Sequence, residues 1–296
     1  MLSDDDILAR QPGWVTRGGA ESLEDVAFLS GAALARLDLA LRAEGGDGRG
    51  AAQCPGALLR DRRALAAAEV AVRRAGRRET ARELRDAVHF TQEGDSPGPA
   101  GEVLSRWQAA VARPIGVASL ARVLPGVDRE AIAEILDRRA TGGPVAQAAA
   151  GFAAMVAAHP GDETGALILA EAVLARALGW SHILPVLSID LRPRAFSQRG
   201  DDLQRAFHVA VRTGALATLG LASELGESAA RLREVAPKLR AKTSDEAVAI
   251  FLRQDAVAPA ALPMPDRAAR RLCDRLVSLG AVRELTGRDS FRLYGL

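Results

Sequence analysis

The sequence predicts an all-α protein, a multi-helix body followed by a small C-terminal winged helix-turn-helix with one β-hairpin wing. Three observations carry that prediction. Aromatic residues are only 4% of a chain that is 48% hydrophobic, so the core is built from Ala, Leu and Val at close approach, which suits packed helices better than a β-sandwich. Apolar residues recur at helical spacing in segment after segment. The stretch from Pro265 to Leu296 reads as a helix, a glycine stop and a hairpin. The expected division is an irregular N-terminal arm over 1–21, a helical body over 22–243 and the winged module over 244–296.

The arm is polar and glycine-containing, anchored by Trp14. Ser22-Leu23-Glu24-Asp25 has the form of a capping box, and Val26, Leu29, Ala33, Leu37 and Leu41 follow at helical spacing, so a helix is expected over 22–43. Gly45 to Gly50 reads as a linker rather than a phosphate cradle, since no Gly-Lys-Ser/Thr follows and no strand precedes it. Helices are expected over 55–75 and 79–90, hinged at Gly76. The run 93–101, with its two prolines and three glycines, reads as irregular. Further helices are expected through Trp107 to Arg113, around 119–124, over 128–140, and over 145–158, whose near absence of charge calls for burial on most sides. After the turn 159–165 a helix runs to Leu178. Ile183 to Ile189 is apolar and β-branched, but Pro185 excludes a central strand, leaving a buried connector. Two helices, over 201–224 and 228–241, complete the body.

Net charge is +2, but from Ala230 onward 13 basic residues face 8 acidic ones, so the basic excess is C-terminal, as in a nucleic-acid arm. All but two of the 39 basic residues are arginine, so the abundance of arginine in any one segment says little by itself. Cys54 and Cys273 fit no paired pattern, which excludes a zinc ribbon or a disulfide framework. With an acidic N-terminus and no apolar run of membrane length, a soluble cytoplasmic protein without membrane contact is expected.

In the C-terminal helix, Ala268, Leu272, Leu276 and Leu279 share one arc of about 80° while Arg267, Arg270 and Arg271 cluster opposite and Arg275 falls between. Such a helix enters a major groove, with Arg288 at the wing tip and Arg292 in the returning strand nearby. Those six arginines are the expected DNA-binding residues. DNA is the expected partner, with a second copy of the chain as a further one. No metal site is expected, because His89, His159, His182 and His208 are isolated in sequence, and no hydrolase elbow is present.

Five segments, Gly31 to Asp38, Asp95 to Gly101, Ala236 to Lys242, Val282 to Arg288 and Phe291 to Leu296, resemble the domain-of-unknown-function 1403 family of bacterial proteins. The resemblance covers nearly the whole chain and implies no assigned activity. A second stretch, His159-Pro160 with Asp162 and Gly165 leading into a helix, looks like the loop of Fic-type AMP-transferases, proteins that are helical and often end in a winged helix. That resemblance implies a vestigial nucleotide site at His159, Asp162, Glu163 and Gly165. The loop is one residue short, Glu163-Thr164 replaces Gly-Asn, and Ala166 stands at the arginine position. The plainer alternative is that Asp162 caps the following helix and His159 closes the preceding one. The expected function is therefore DNA binding in a regulatory setting, with a catalytically inactive body and no cofactor. A nucleotide-binding or nucleotidyl-transfer protein of Fic-like ancestry, or a partner-binding helical module, is the alternative.

Overall fold

The structure, a computed structural model, describes residues 22–42, 54–92, 94–137, 142–239, 243–288 and 290–296. The expected arm over 1–21 and the Gly45 to Gly50 linker lie outside the described residues. Eleven α-helices are described: α1 Leu23–Arg42, α2 Gly56–Arg74, α3 Ala81–His89, α4 Gly98–Val111, α5 Val117–Leu120, α6 Arg129–Asp137, α7 Pro144–Ala158, α8 Glu163–Ala177, α9 Gly200–Val235, α10 Ser244–Phe251 and α11 Asp266–Ser278. Two short strands, β1 Arg283–Glu284 and β2 Tyr294–Gly295, form one antiparallel pair. Among the described residues no helix is long and apolar enough to cross a membrane.

Most helices start where local chemistry starts them. Ser22 Oγ accepts from the Asp25 N–H at 3.0 Å and Asp25 Oδ2 accepts from the Ser22 N–H at 3.1 Å, the reciprocal cap expected at α1. Thr80 and Glu83 form the same device at α3. Two expectations are corrected. The proline and glycine run over 93–101 does not stay irregular, because α4 begins at Gly98 with Pro99 in its first turn, where a missing N–H leaves no donor unpaired. The helices expected over 201–224 and 228–241 are one, α9, 36 residues long. Glycine inside a helix costs only about 1 kcal/mol, and Leu225, Gly226, Ala229 and Leu232 keep one buried face unbroken across the junction. Pro237 lies just past its end, in a 3-10 turn over Ala236–Lys238.

α8 is the centre of the body. Every residue from Gly165 to Ala175 is buried, which is the packing of a helix apolar on all sides. It lies against α7, while α1 packs along α9 and α2 along α4. Glu171 is the one charged residue of α8 inside this core, 1% exposed. Its Oε1 accepts from the N–H groups of Val186, Leu187 and Ser188, each at 2.9 Å, and from Ser188 Oγ at 2.8 Å. Those donors belong to the connector 183–191, which runs through the core without regular structure, as Pro185 requires. Arg63 of α2 donates through Nε to the Pro185 carbonyl at 2.8 Å. Gly214 of α9 makes room for the Val186 carbonyl, which occupies the space any Cβ at 214 would take. The connector's backbone thus finds inside the protein the partners it lacks in a ladder.

Candidate nucleic-acid interface

α11 follows Pro265, whose backbone is extended (φ −57°, ψ 141°), and closes at Gly280, held at φ 65°. Ala269, Leu272, Cys273 and Leu276 are its buried residues. Burial and the neighbouring Asp274 push the Cys273 thiol up to about 12. Arg267, Arg270, Arg271 and Arg275 are all exposed, so Arg275, which the sequence leaves between two faces, stands on the outer one. At 100° per residue, Arg267, Arg271 and Arg275 form one stripe spanning about 80°. Arg270 belongs to a different stripe, bridged by Asp266 four residues earlier with Nη2 to Oδ2 at 3.1 Å. Among the described residues no acid pairs with Arg267, Arg271 or Arg275.

The hairpin beside α11 is short but tightly registered. Arg283 stands opposite Gly295 and Glu284 opposite Tyr294, and the Leu285 N–H donates to the Leu293 carbonyl at 2.8 Å. Val257, ahead of α11, bridges the other edge of Tyr294, giving the order Val257, β2, β1. Arg288 turns toward the body. It donates to Asp86 of α3 at 2.5 Å and lies 5.5 Å from the centre of the Phe90 ring. Arg292 donates to the Arg288 carbonyl at 2.8 Å and has Glu284 at 3.8 Å and Asp274 at 4.0 Å. The two wing arginines therefore brace the hairpin, and the three unpaired ones lie on the helix.

Asp255 fixes this region to the body. It is 3% exposed and forms ion pairs with Arg62 of α2 and Arg85 of α3, the latter through both oxygens. Its N–H donates to Asp61 Oδ2 at 2.8 Å, and Gln108 donates to Asp61 Oδ1 at 3.0 Å. Burial pushes the Asp255 carboxyl up, but the Arg85 hydrogen bond and the charges of Arg62 and Arg85 together outweigh it and hold it below the usual range. Asp61, with burial dominant, is raised. Sequence reasoning missed this cluster; a lone aspartate before Ala256-Val257 was its only signal.

The turn 159–165 contains a different arrangement from a phosphate cradle. Asp162 is the N-cap of α8 and accepts from the Gly165 N–H at 2.9 Å. Both its oxygens also accept from Arg106 of α4, at 2.6 and 2.5 Å. Burial acts to raise its carboxyl, and the Arg106 and Gly165 hydrogen bonds more than reverse that. His159 caps α7, its N–H donating to the Met155 carbonyl at 2.8 Å. Glu163 is exposed and Gly165 is buried. The space above Gly165 is filled by the Arg106 and Asp162 side chains, so the cation here is Arg106 and it is spent on Asp162.

The histidines stay apart: His159 lies in this turn, His182 beside Ser181 and His89 near Asp255. His208 of α9 has Nδ1 2.7 Å from Ser30 Oγ of α1, at the edge of an open hollow of about 730 Å³. Ser30 also donates to the Ala27 carbonyl at 3.0 Å. It sits mid-helix, where the neighbouring N–H groups of α1 itself are consumed by the helix. Among the described residues no group of three or more His, Cys, Asp or Glu could hold a metal ion.

The sequence model of the family described as protein of unknown function, DUF1403, matches residues 1–296, the whole chain. No curated protein gives a significant match.

Proposed function

Starting from the fact that the chain belongs to the DUF1403 family, we propose that residues 244–296 form a winged helix-turn-helix that binds double-stranded DNA. α11 enters the major groove, and Arg267, Arg271 and Arg275 contact phosphates and base edges. The element order supports this reading: α10, an extended piece at Val257, a helical turn at Pro259–Ala261, α11, then β1, a loop and β2. A winged helix has that order, with its first strand on the outer edge of its last. The short turn at Pro259–Ala261 stands where the first helix of the motif would be and packs against α11, which also meets β1 of the hairpin. The body serves as a scaffold that presents the module.

The observation that carries the reading is the arginine stripe. Three guanidinium groups on one face of a helix, with no partner acid among the described residues, fit the regularly spaced negative charge of a duplex. The Fic-like alternative has less support, since the carboxylate that would hold Mg²⁺ is engaged by Arg106 through both oxygens. Filter binding of the full chain to a duplex across a salt series tests the proposal. Binding that weakens with salt, and that the R267A/R271A/R275A variant loses, is expected. No retention of DNA at low salt, or a triple variant that binds like the parent, would sink it.

A further inference from the structure

Phe291 is the one non-glycine residue among the described ones with a left-handed backbone, φ 53°. An L-residue adopts that conformation only at an energetic cost, and such strain gathers at functional sites. Here it holds an aromatic ring that is 69% exposed, so burial does not offset it. The ring stands edge-on to Phe90, with centroids 5.5 Å apart. Between the hairpin and the first turns of α11 lies a pocket of about 450 Å³. Its lining includes Phe90, Phe291 and Tyr294, together with two arginines, Arg270 and Arg292, and two aspartates, Asp266 and Asp274. Its volume falls within the range of about 300–1,000 Å³ usual for small-molecule sites.

We infer that this pocket receives a single nucleobase turned out of the DNA stack, with Phe291 as the wedge that takes the base's place. The inference rests on the DNA-binding reading above. Asp266, Arg270 and Asp274 form the α11 stripe next to that of Arg267, Arg271 and Arg275, so a duplex gripped by the arginines lies across the pocket mouth. Each chemical group of the pocket has a counterpart on a base. The aromatic rings offer faces for stacking, which every base accepts. Asp274 can accept from an exocyclic amine, and the two arginines can donate to ring nitrogens, carbonyls or the flanking phosphates. Apolar side chains on DNA-binding elements kink duplexes by this kind of insertion. A mouth of paired opposite charges suits a base edge better than a purely apolar ligand.

The test compares a fully matched duplex with the same duplex carrying one unpaired, bulged base, for which most of the unstacking cost is already met. The full chain is expected to bind the bulged duplex about tenfold more tightly. F291A should remove that preference while leaving matched-duplex affinity within about twofold, and F291W should restore it, which a merely structural role for the ring would not do. R271A should weaken both duplexes alike. Equal binding of the two duplexes by the parent, or a preference that survives F291A, overturns the inference while leaving the DNA-binding reading intact. Loss of all duplex binding removes both. Saturable calorimetric binding of free nucleoside monophosphates, without a bulge preference, would make the pocket a nucleotide site and likewise overturn the inference.

Discussion

Arg106 and Asp162 form a two-pronged ion pair, Nη1 to Oδ1 at 2.6 Å and Nη2 to Oδ2 at 2.5 Å, seated over the α-carbon of Gly165. A methyl group at 165 would lie 2.6 Å from Arg106 Nη2 and closer still to the Asp162 carboxylate. Glycine to alanine in an exposed helix normally adds about 1 kcal/mol. G165A should instead lose about 2 kcal/mol, because the pair must separate or shift. Urea unfolding checks this, and a variant as stable as the parent would contradict it.

Gly214 offers a sharper case. Any Cβ there falls on the backbone carbonyl of Val186, and backbone cannot swing aside as a side chain can. G214A should therefore lose at least about 3 kcal/mol or fail to fold. G31A, where an added Cβ meets nothing within 4 Å, is the matched control and should be neutral or slightly stabilising in the same urea titration.

Glu171 links stability to pH. Burial holds its carboxyl above the ordinary range, so between the unfolded and folded pKa values the folded state holds the proton more firmly. That contribution is complete below the unfolded value of about 4.3 and is lost as pH rises through the folded one. E171Q, which keeps an acceptor and cannot ionise, should gain stability relative to the parent between pH 4 and pH 7. A difference that shrinks or reverses over that interval would show the sign to be wrong. E171A removes the acceptor of four donors and should lose about 3 kcal/mol or more at any pH.

The salt dependence of DNA binding distinguishes helix from wing. Each phosphate contact contributes about 0.9 to the slope of log affinity against log salt, so the R267A/R271A/R275A variant should flatten it by up to about 2.7 units if all three reach phosphates. R288A should leave the slope unchanged while lowering stability, since Arg288 is paired with Asp86. An R288A slope reduced by a full unit would place that arginine on the DNA instead.

Cys273 should resist thiol reagents in the native state. Its thiol is buried and pushed up to about 12, so almost no thiolate exists at pH 8. Iodoacetamide labelling followed by peptide mass mapping should find Cys273 modified only after denaturation. Rapid native labelling would mean that α11 detaches from the body.

How far the sequence discloses this structure depends on how local each cause is. The Ser22 cap and the periodic face of α1 are set by residues within a turn of one another, and they read directly. The buried connector is also legible, because Pro185 excludes the strand its neighbours favour. Gly98 and Gly226 both mislead. Composition marks both as breaks, yet Gly98, at φ 73°, only opens α4, with Pro99 tolerated in its first turn, and at Gly226 the burial of Leu225 and Leu232 outweighs a local preference of about 1 kcal/mol. Arg106 with Asp162, and Arg85 with Asp255, are 56 and 170 residues apart, and no spacing rule points from one to the other. In the candidate site, helical periodicity finds the outer arginines, but only the fold separates Arg275, which no described acid pairs, from Arg288 and Arg292, which are paired.

The passage of residues 183–191 through the core governs how the molecule can open. Arg63 of α2 and Glu171 of α8 bond that segment, and α9 packs directly over it at Gly214, so its release requires those three helices to separate. The amides of Val186, Leu187 and Ser188 should exchange with deuterium only through global unfolding, at the slow end of the protein's exchange spectrum. Its contacts also reach far along the chain, 122 residues in the case of Arg63 with Pro185. Closing such a loop costs chain entropy before the contact rewards it, so the Arg63 to Pro185 bond is expected to form after the Glu171 bonds, which span only 15 to 17 residues.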